Sequence, residues 1–88
     1  MPTISYFYGI YIRMFVKDHQ PPHFHAIYGE HEALVDIETG AVIEGKLPRS
    51  ARSLVEQWAS QHKEALMKNW RRRTTGEALE RIPGLDAD

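Results

Sequence analysis

Apolar residues alternate with other side chains along the first half of the chain, a pattern typical of β-strands. Between residues 10 and 16, isoleucine, methionine and valine recur at every second position. The same segment is rich in β-branched and aromatic residues, which favour strands. Gly40 supplies the positive φ that a short hairpin loop requires. We therefore expect an antiparallel meander of about four strands, at residues 10–16, 23–28, 33–38 and 41–44.

The spacing of the apolar positions changes after Pro48, which suits the first turn of a helix. From there, apolar residues recur three and four positions apart, as on one face of an amphipathic helix. This pattern predicts one long helix that ends at about Arg73, with Gly76 as its stop signal. The positions of the stripe are Ala51, Leu54, Val55, Trp58, His62, Ala65, Leu66 and Trp70.

These elements together predict an α+β fold, in which the long C-terminal helix packs on one face of the meander. We expect a single domain over residues 1–82 and a flexible acidic tail over residues 83–88. A chain of 88 residues is too short for more than one ordinary domain.

Composition restricts the compartment and the chemistry. The chain has no cysteine, which excludes disulfides, a thiol nucleophile and cysteine-ligated metals. It has neither a signal-peptide pattern nor an apolar run long enough to cross a bilayer. We therefore expect a cytoplasmic protein that does not enter a membrane.

The net charge of −1 conceals an uneven distribution. Residues 1–48 and 74–88 each carry a net charge of −3, whereas residues 49–73 carry +5. The basic segment is a candidate site for RNA or another anion. Its candidate contact residues are Lys68, Arg71, Arg72 and Arg73.

Histidines are the strongest candidates for chemistry, because three of them fall within seven residues. His23 and His25 would point to the same face of a strand. His19, in the proline-rich connection before that strand, could converge on the same point. Neutral imidazoles are preferred ligands of zinc and related ions, so the cluster predicts a divalent metal site. Glu30, His31 and Glu32, in the turn that follows, could complete or orient that site.

Two other roles for these histidines remain open. His23 and His25 could act as general base and general acid, with Arg13 on the neighbouring strand binding a phosphate. Such a set would suffice for a small ribonuclease. Alternatively, the histidines only form structural hydrogen bonds. His62 is expected to be packed within the helix stripe or to reach the sheet histidines as a further ligand.

Aromatic residues cluster near the N-terminus, at Tyr6, Phe7, Tyr8 and Tyr11. They predict core and dimer packing, or base stacking on a nucleic acid. One helix can cover only one face of a sheet, so the second face is expected to bury itself in a homodimer.

Several motifs resemble a family of small bacterial proteins known as domain of unknown function 4160. The most specific is Pro21-Pro22-His23-Phe24-His25-Ala26. The similarity extends to about Ile82 and includes Phe7-Tyr8-Gly9-Ile10, Tyr28-Gly29-Glu30, Ile37-Glu38-Thr39-Gly40, Leu47-Pro48-Arg49 and the helix with Trp58, His62 and Trp70.

The resemblance implies a prokaryotic cytosolic protein with a small protein partner encoded nearby, in an arrangement like that of toxin–antitoxin pairs. It does not supply catalytic residues. The function expected first is therefore a component of a toxin–antitoxin-like pair that works through a protein interface and acts on RNA. The alternative is a small metal-binding protein or metalloenzyme that uses His19, His23 and His25. A third reading is an adaptor whose basic helix binds an acidic partner.

Overall fold

The protein is α+β, with a five-stranded antiparallel sheet followed by two helices. This computed structural model describes residues 3–87. The strands are β1 (Thr3–Phe7), β2 (Ile10–Arg13), β3 (His23–Tyr28), β4 (His31–Asp36) and β5 (Val42–Gly45). The helices are α1 (Arg49–Gln61) and α2 (Lys63–Thr75). Each strand pairs with its neighbour in sequence, which confirms the predicted meander.

The first strand, β1, was missed by the prediction of four strands. A two-residue turn joins β1 to β2, and both of its residues, Tyr8 and Gly9, have positive φ values of 50° and 81°. This turn geometry matches the twist of a hairpin but usually uses asparagine or glycine at its first position. Because tyrosine rarely adopts positive φ, Tyr8-Gly9 is not a usual hairpin sequence, and the prediction began the sheet only at residue 10.

The second strand is shorter than predicted and ends at Arg13 rather than at residue 16. Residues 14–22 form a connection that leaves the sheet before β3 begins. Met14 is fully buried but Val16 is 63% exposed, so the alternation reflects core packing only as far as Met14. This connection carries Asp18 to the end of the sheet.

The prediction of a single long helix was also wrong, because the helix is interrupted at His62, where φ is −124°. Trp58, His62, Leu66 and Trp70 are spaced four residues apart. Each step of four overshoots a full helical turn by about 40°, so a straight helix would rotate Trp70 roughly 120° away from the face of Trp58. The break corrects this drift, and both tryptophans are buried. Gly76 ends α2 with a left-handed φ of 83°, as predicted.

The core lies between one face of the sheet and the helices. Trp58 is fully buried at its centre, with ring centroids 5.2 Å from Phe7 and 5.7 Å from Phe24. The other buried apolar side chains are Ile4, Ile10, Ile12, Met14, Ala26, Ala33, Val35, Ile37, Ala51, Val55, Ala59, Leu66, Trp70 and Ile82. Neither helix of the described residues is long and apolar enough to cross a bilayer.

The chain after α2 returns to the outer edge of β1. The Ile82 amide donates to the Ile4 carbonyl at 2.7 Å, and Trp58 Nε1 donates to the Pro83 carbonyl at 2.8 Å. The buried Asn69 side chain both donates to and accepts from the Glu80 backbone, each at 2.9 Å. This segment therefore covers the edge of β1 and leaves β5 as the uncovered edge. The flexibility expected for residues 83–88 stays a prediction, and residue 88 lies outside the described residues.

Replacing Trp58 with alanine tests the packing at the centre of the core. Trp58→Ala removes the two ring contacts and the hydrogen bond to Pro83, so we expect a loss of about 3–5 kcal/mol in the free energy of unfolding. In a domain of this size that corresponds to a melting temperature lower by more than about 12 °C.

The matched control is Glu56→Ala, at an exposed position of the same helix. It should change the free energy of unfolding by no more than about 0.5 kcal/mol. A Trp58→Ala protein that melts together with the control would show that this core is placed wrongly.

Candidate metal centre

Asp18 is held in place by a compact turn in the connection between β2 and β3. The Phe15 amide donates to Asp18 Oδ2 at 2.9 Å, and the Asp18 amide donates to the Phe15 carbonyl at 3.1 Å. An aspartate side chain commonly accepts such a local backbone bond and so stabilises a turn. The Asp18 carboxylate is thereby fixed with one oxygen engaged and its outer side free to meet β3.

Strand β3 places His23 and His25 on the same side, as their spacing predicted. Phe24 and Ala26, between and after them, are fully buried in the core. The histidines therefore lie on the face of the sheet opposite the core. His23 is nevertheless 6% exposed, because it is also covered by the Trp70 ring, whose centroid lies 5.3 Å away.

Three side chains converge at this end of the sheet: Asp18, His23 and His25. The Nε2 atom of His25 lies 3.2 Å from both Asp18 carboxylate oxygens. The Nε2 atom of His23 lies 3.7 Å from Asp18 Oδ1. The three ligand atoms all lie within 4.8 Å of one another. Their side chains are largely removed from solvent, with exposed fractions of 14%, 8% and 14% for Asp18, His23 and His25.

The remaining ring nitrogens show how few protons the cluster has for its acceptors. His23 Nδ1 lies 2.8 Å from the Pro21 carbonyl oxygen, which can only accept, so Nδ1 carries the proton and the Nε2 lone pair faces Asp18. His25 lies between two carboxylates, with Nδ1 3.0 Å from Glu32 Oε2 and Nε2 3.2 Å from the Asp18 oxygens. A neutral imidazole has one N–H proton, so His25 can donate to only one of these two carboxylates.

The cluster therefore has more hydrogen-bond acceptors than protons. At His23 a lone pair faces Asp18 Oδ1 at 3.7 Å, and at His25 a single neutral-form proton lies between two carboxylates. A cation between the three side chains would remove this shortage. Ligands of a tetrahedral zinc ion at about 2.0–2.1 Å are themselves about 3.3 Å apart, close to the two distances from Asp18.

The cluster opens onto a shallow surface cavity of about 320 Å³. Lys17, His19 and Glu44 line the cavity together with the three cluster residues. A ligand bound between the imidazoles and the carboxylate would therefore be reachable from solvent on one side. The site is a surface cleft rather than a sealed structural centre.

The structure brings His23 and His25 together, but the third member of the converging group is Asp18 rather than His19. His19 is exposed and is not part of the converging group, although it lines the same cavity. Asp18, its neighbour, takes the position expected for His19. The sequence of residues 14–22 does not indicate which side chain of this connection turns towards His23 and His25. An aspartate followed at +5 and +7 by histidines was the available signal.

Glu32 contacts the His25 ring and is one of the residues after β3 that were expected to complete or orient a site. It is the register partner of Ile27 on β4, on the same face of the sheet as His25. Its carboxylate is 58% exposed and fixes the His25 ring from outside the cluster. Carboxylates that accept from the second ring nitrogen are typical of metal-ligating histidines.

Arg13 lies beside His25 but does not join the cluster. The two residues are register partners on β2 and β3. The Arg13 Nε atom donates to Thr3 Oγ1 at 3.2 Å, on the other neighbouring strand, β1. The acid–base role for His23, His25 and Arg13 stays a prediction, and the geometry favours a ligand role for the histidines.

Arg73 connects the second helix to the loop that carries Asp18. Its guanidinium donates to the Asp18 carbonyl at 2.6 Å and to the Val16 carbonyl at 3.0 Å. It also lies 3.4 Å above the Trp70 ring, whose other neighbour is His23. Burial in this position lowers the pKa of Arg73, whereas the nearby Asp18 carboxylate acts in the opposite direction.

The remaining residues of the predicted basic patch are spread over different environments. Arg72 pairs with Glu80 at 3.1 Å, and Arg73 is occupied by the loop. Lys68 and Arg71 are exposed on α2. His62 packs against Trp58, at 5.4 Å between ring centroids, and is not part of the cluster.

Fold and site together define a class of small α+β protein in which a five-stranded meander carries an aspartate–histidine cluster at one end. Residues 9–71 match the family model "Domain of unknown function (DUF4160)", so the chain belongs to that family and the resemblance is confirmed. The match includes Asp18, His23, His25 and Glu32. No curated protein and no solved structure is significantly similar to the chain.

Arg73→Gln tests the connection between α2 and the Asp18 loop. The variant removes the charged donor from two carbonyls, and because the side chain is partly exposed we expect a loss of about 1 kcal/mol in the free energy of unfolding. Backbone amides of residues 15–20 should also exchange with solvent faster.

Arg71→Gln is the matched control, since Arg71 is exposed on the same helix. It should leave both measurements unchanged. Equal behaviour of the two variants would mean that Arg73 does not hold the loop.

Proposed function

We propose that the protein binds a divalent metal ion through Asp18 and the Nε2 atoms of His23 and His25. The observation that carries this proposal is the convergence of these three groups with too few protons to hydrogen-bond them all. Both Nε2 atoms face one carboxylate, while the Nδ1 atoms lie against the Pro21 carbonyl and the Glu32 carboxylate. A metal ion would replace these contacts with coordinate bonds.

The donor set favours zinc or a similar transition metal. Two imidazoles and one carboxylate form the ligand set found in zinc hydrolases and in non-haem iron sites. Calcium and magnesium prefer sites built mainly of oxygen atoms. This part of the chain therefore suits zinc or iron(II) better than it suits a hard cation.

Three protein ligands leave at least one coordination position for water or a small ligand. Structural zinc sites use four protein ligands, whereas sites with three are typical of catalysis. The cavity beside the cluster provides the space for such a ligand. A zinc ion held in this way supplies Lewis-acid chemistry and acidifies a bound water molecule.

The expected toxin–antitoxin-like role stays a prediction, as do the homodimer and the small protein partner. A metal site is compatible with that role, because a surface cleft with an open coordination position can act on a substrate such as RNA. Partner binding has its own support in the four tyrosines, whose exposed fractions range from 38% to 56%. Tyrosine is enriched in protein interfaces.

Zinc should raise the melting temperature of the metal-free protein, because it binds the folded state selectively. At about 100 times its dissociation constant it would add about 2.7 kcal/mol to the free energy of unfolding. The increase should be larger at about pH 8 than at about pH 5.5, since a protonated imidazole cannot bind a metal. Differential scanning fluorimetry after chelator treatment measures it.

Variants identify the ligands. Asp18→Asn and the double variant His23→Ala/His25→Ala should lose the zinc-dependent increase, which is read against each variant's own melting temperature without zinc. His19→Ala and His31→Ala, at exposed positions, should keep it. No zinc effect on the parent protein, or an effect lost in His19→Ala and kept in Asp18→Asn, would contradict the proposed ligand set.

A further inference from the structure

An aromatic and basic strip lies on the open face of the sheet, directly beside the metal cluster. Tyr6 and Tyr11 are register partners on β1 and β2, with ring centroids 4.6 Å apart. They are 48% and 42% exposed. Arg13, two residues after Tyr11 on the same face, has its Cζ atom 5.3 Å from the centre of the Tyr11 ring.

The strip is continuous with the metal cluster. Arg13 and His25 are register partners, so their Cα atoms are about 4.5–5.5 Å apart. A ligand that contacts Tyr6, Tyr11 and Arg13 in turn would arrive next at His25. On the other side of the cluster, Lys17 lines the same cavity as Asp18 and the two histidines.

The opposite half of this face has a different character. There, β4 and β5 present Glu32 and Glu44, the latter as register partner of Leu34. Their charges disfavour a polyanion on that half and leave the tyrosine side as the more favourable path. Aromatic rings, an arginine and a neighbouring cation site form the combination that single-stranded nucleic acids use, with bases stacked on rings and phosphates held by cations.

We propose that the strip formed by Tyr6, Tyr11 and Arg13 binds single-stranded RNA and places one of its phosphates at the Asp18–His23–His25 cluster. The last contact rests on the proposed metal site, whereas the stacking contacts do not. Duplex RNA should bind poorly, because its bases are not available to stack on the tyrosines.

This surface differs from the basic patch expected from the sequence. Arg72 and Arg73 are engaged by Glu80 and by the Asp18 loop, and α2 adds no exposed aromatic ring beside Lys68 and Arg71. The two expected phosphate contacts are Arg13 in the strip and Lys17 on the other side of the cluster. RNA binding should therefore be weak and moderately salt-dependent. The slope of log affinity against log salt should be about −1.4 for two contacts on a single strand.

Fluorescence anisotropy of a short labelled oligouridine tests the proposal, with and without zinc. The parent protein should bind the oligonucleotide without zinc and bind it more tightly with zinc. Tyr11→Ala should weaken binding at least about fivefold, whereas Tyr11→Phe, which keeps the ring, should restore most of it. Arg13→Gln should weaken binding and lower the salt slope by about 0.7.

Two matched controls locate the surface. Tyr8→Asn removes an equally exposed tyrosine from the turn, at a positive φ that asparagine tolerates. Arg71→Gln removes an exposed arginine from the basic patch. Both should bind like the parent protein, and each variant's melting temperature confirms that it is folded.

Three outcomes would overturn the proposal. The first is unchanged binding by Tyr11→Ala, and the second is loss of binding by Arg71→Gln instead. The third is no RNA binding together with a dimer that Tyr11→Ala converts to a monomer, which would assign the strip to a second copy of the chain. A zinc-dependent rise in melting temperature that persists in Tyr11→Ala separates failure of the RNA strip from failure of the metal site.

Discussion

The Asp18 carboxylate, faced by two imidazole nitrogens, is the interaction on which the account of this protein depends. Asp18 Oδ1 lies 3.2 Å from His25 Nε2 and 3.7 Å from His23 Nε2. Because the other nitrogen of each ring also lies against an oxygen acceptor, the cluster has more acceptors than protons. A cation would satisfy these acceptors. The proposed ligands, the preferred metals and the open coordination position follow from that requirement.

The rest of the fold holds the two sides of this cluster together. Strand β3 fixes the histidines, whereas Asp18 belongs to a loop that the sheet does not hold by ladder hydrogen bonds. Arg73 and Trp70 connect that loop and His23 to α2. Trp70 lies on α2, after the break at His62, and packs against His23. The helix geometry therefore contributes directly to the candidate site, although no helical residue is among its ligands.

The sequence predicted the features that depend on local pattern. The alternation along β3 placed His23 and His25 on one face, and the spacing of three and four identified the stripe that contains Trp58. It did not predict β1, because Tyr8 occupies a backbone conformation that tyrosine rarely adopts. The prediction named His19 as the third ligand instead of Asp18. The direction of a side chain in a loop is set by tertiary contacts, such as those of Phe15 and Arg73, and the local pattern does not show them.

X-ray absorption spectroscopy of the zinc-loaded protein tests the central claim most directly, because it reports the ligands of the ion itself. The account predicts a first shell at about 2.0–2.1 Å that contains two imidazoles together with oxygen ligands. The spectrum should be unchanged in His19→Ala and should lose one imidazole in His25→Ala. A spectrum with no imidazole signal, or one that loses an imidazole in His19→Ala, would contradict it.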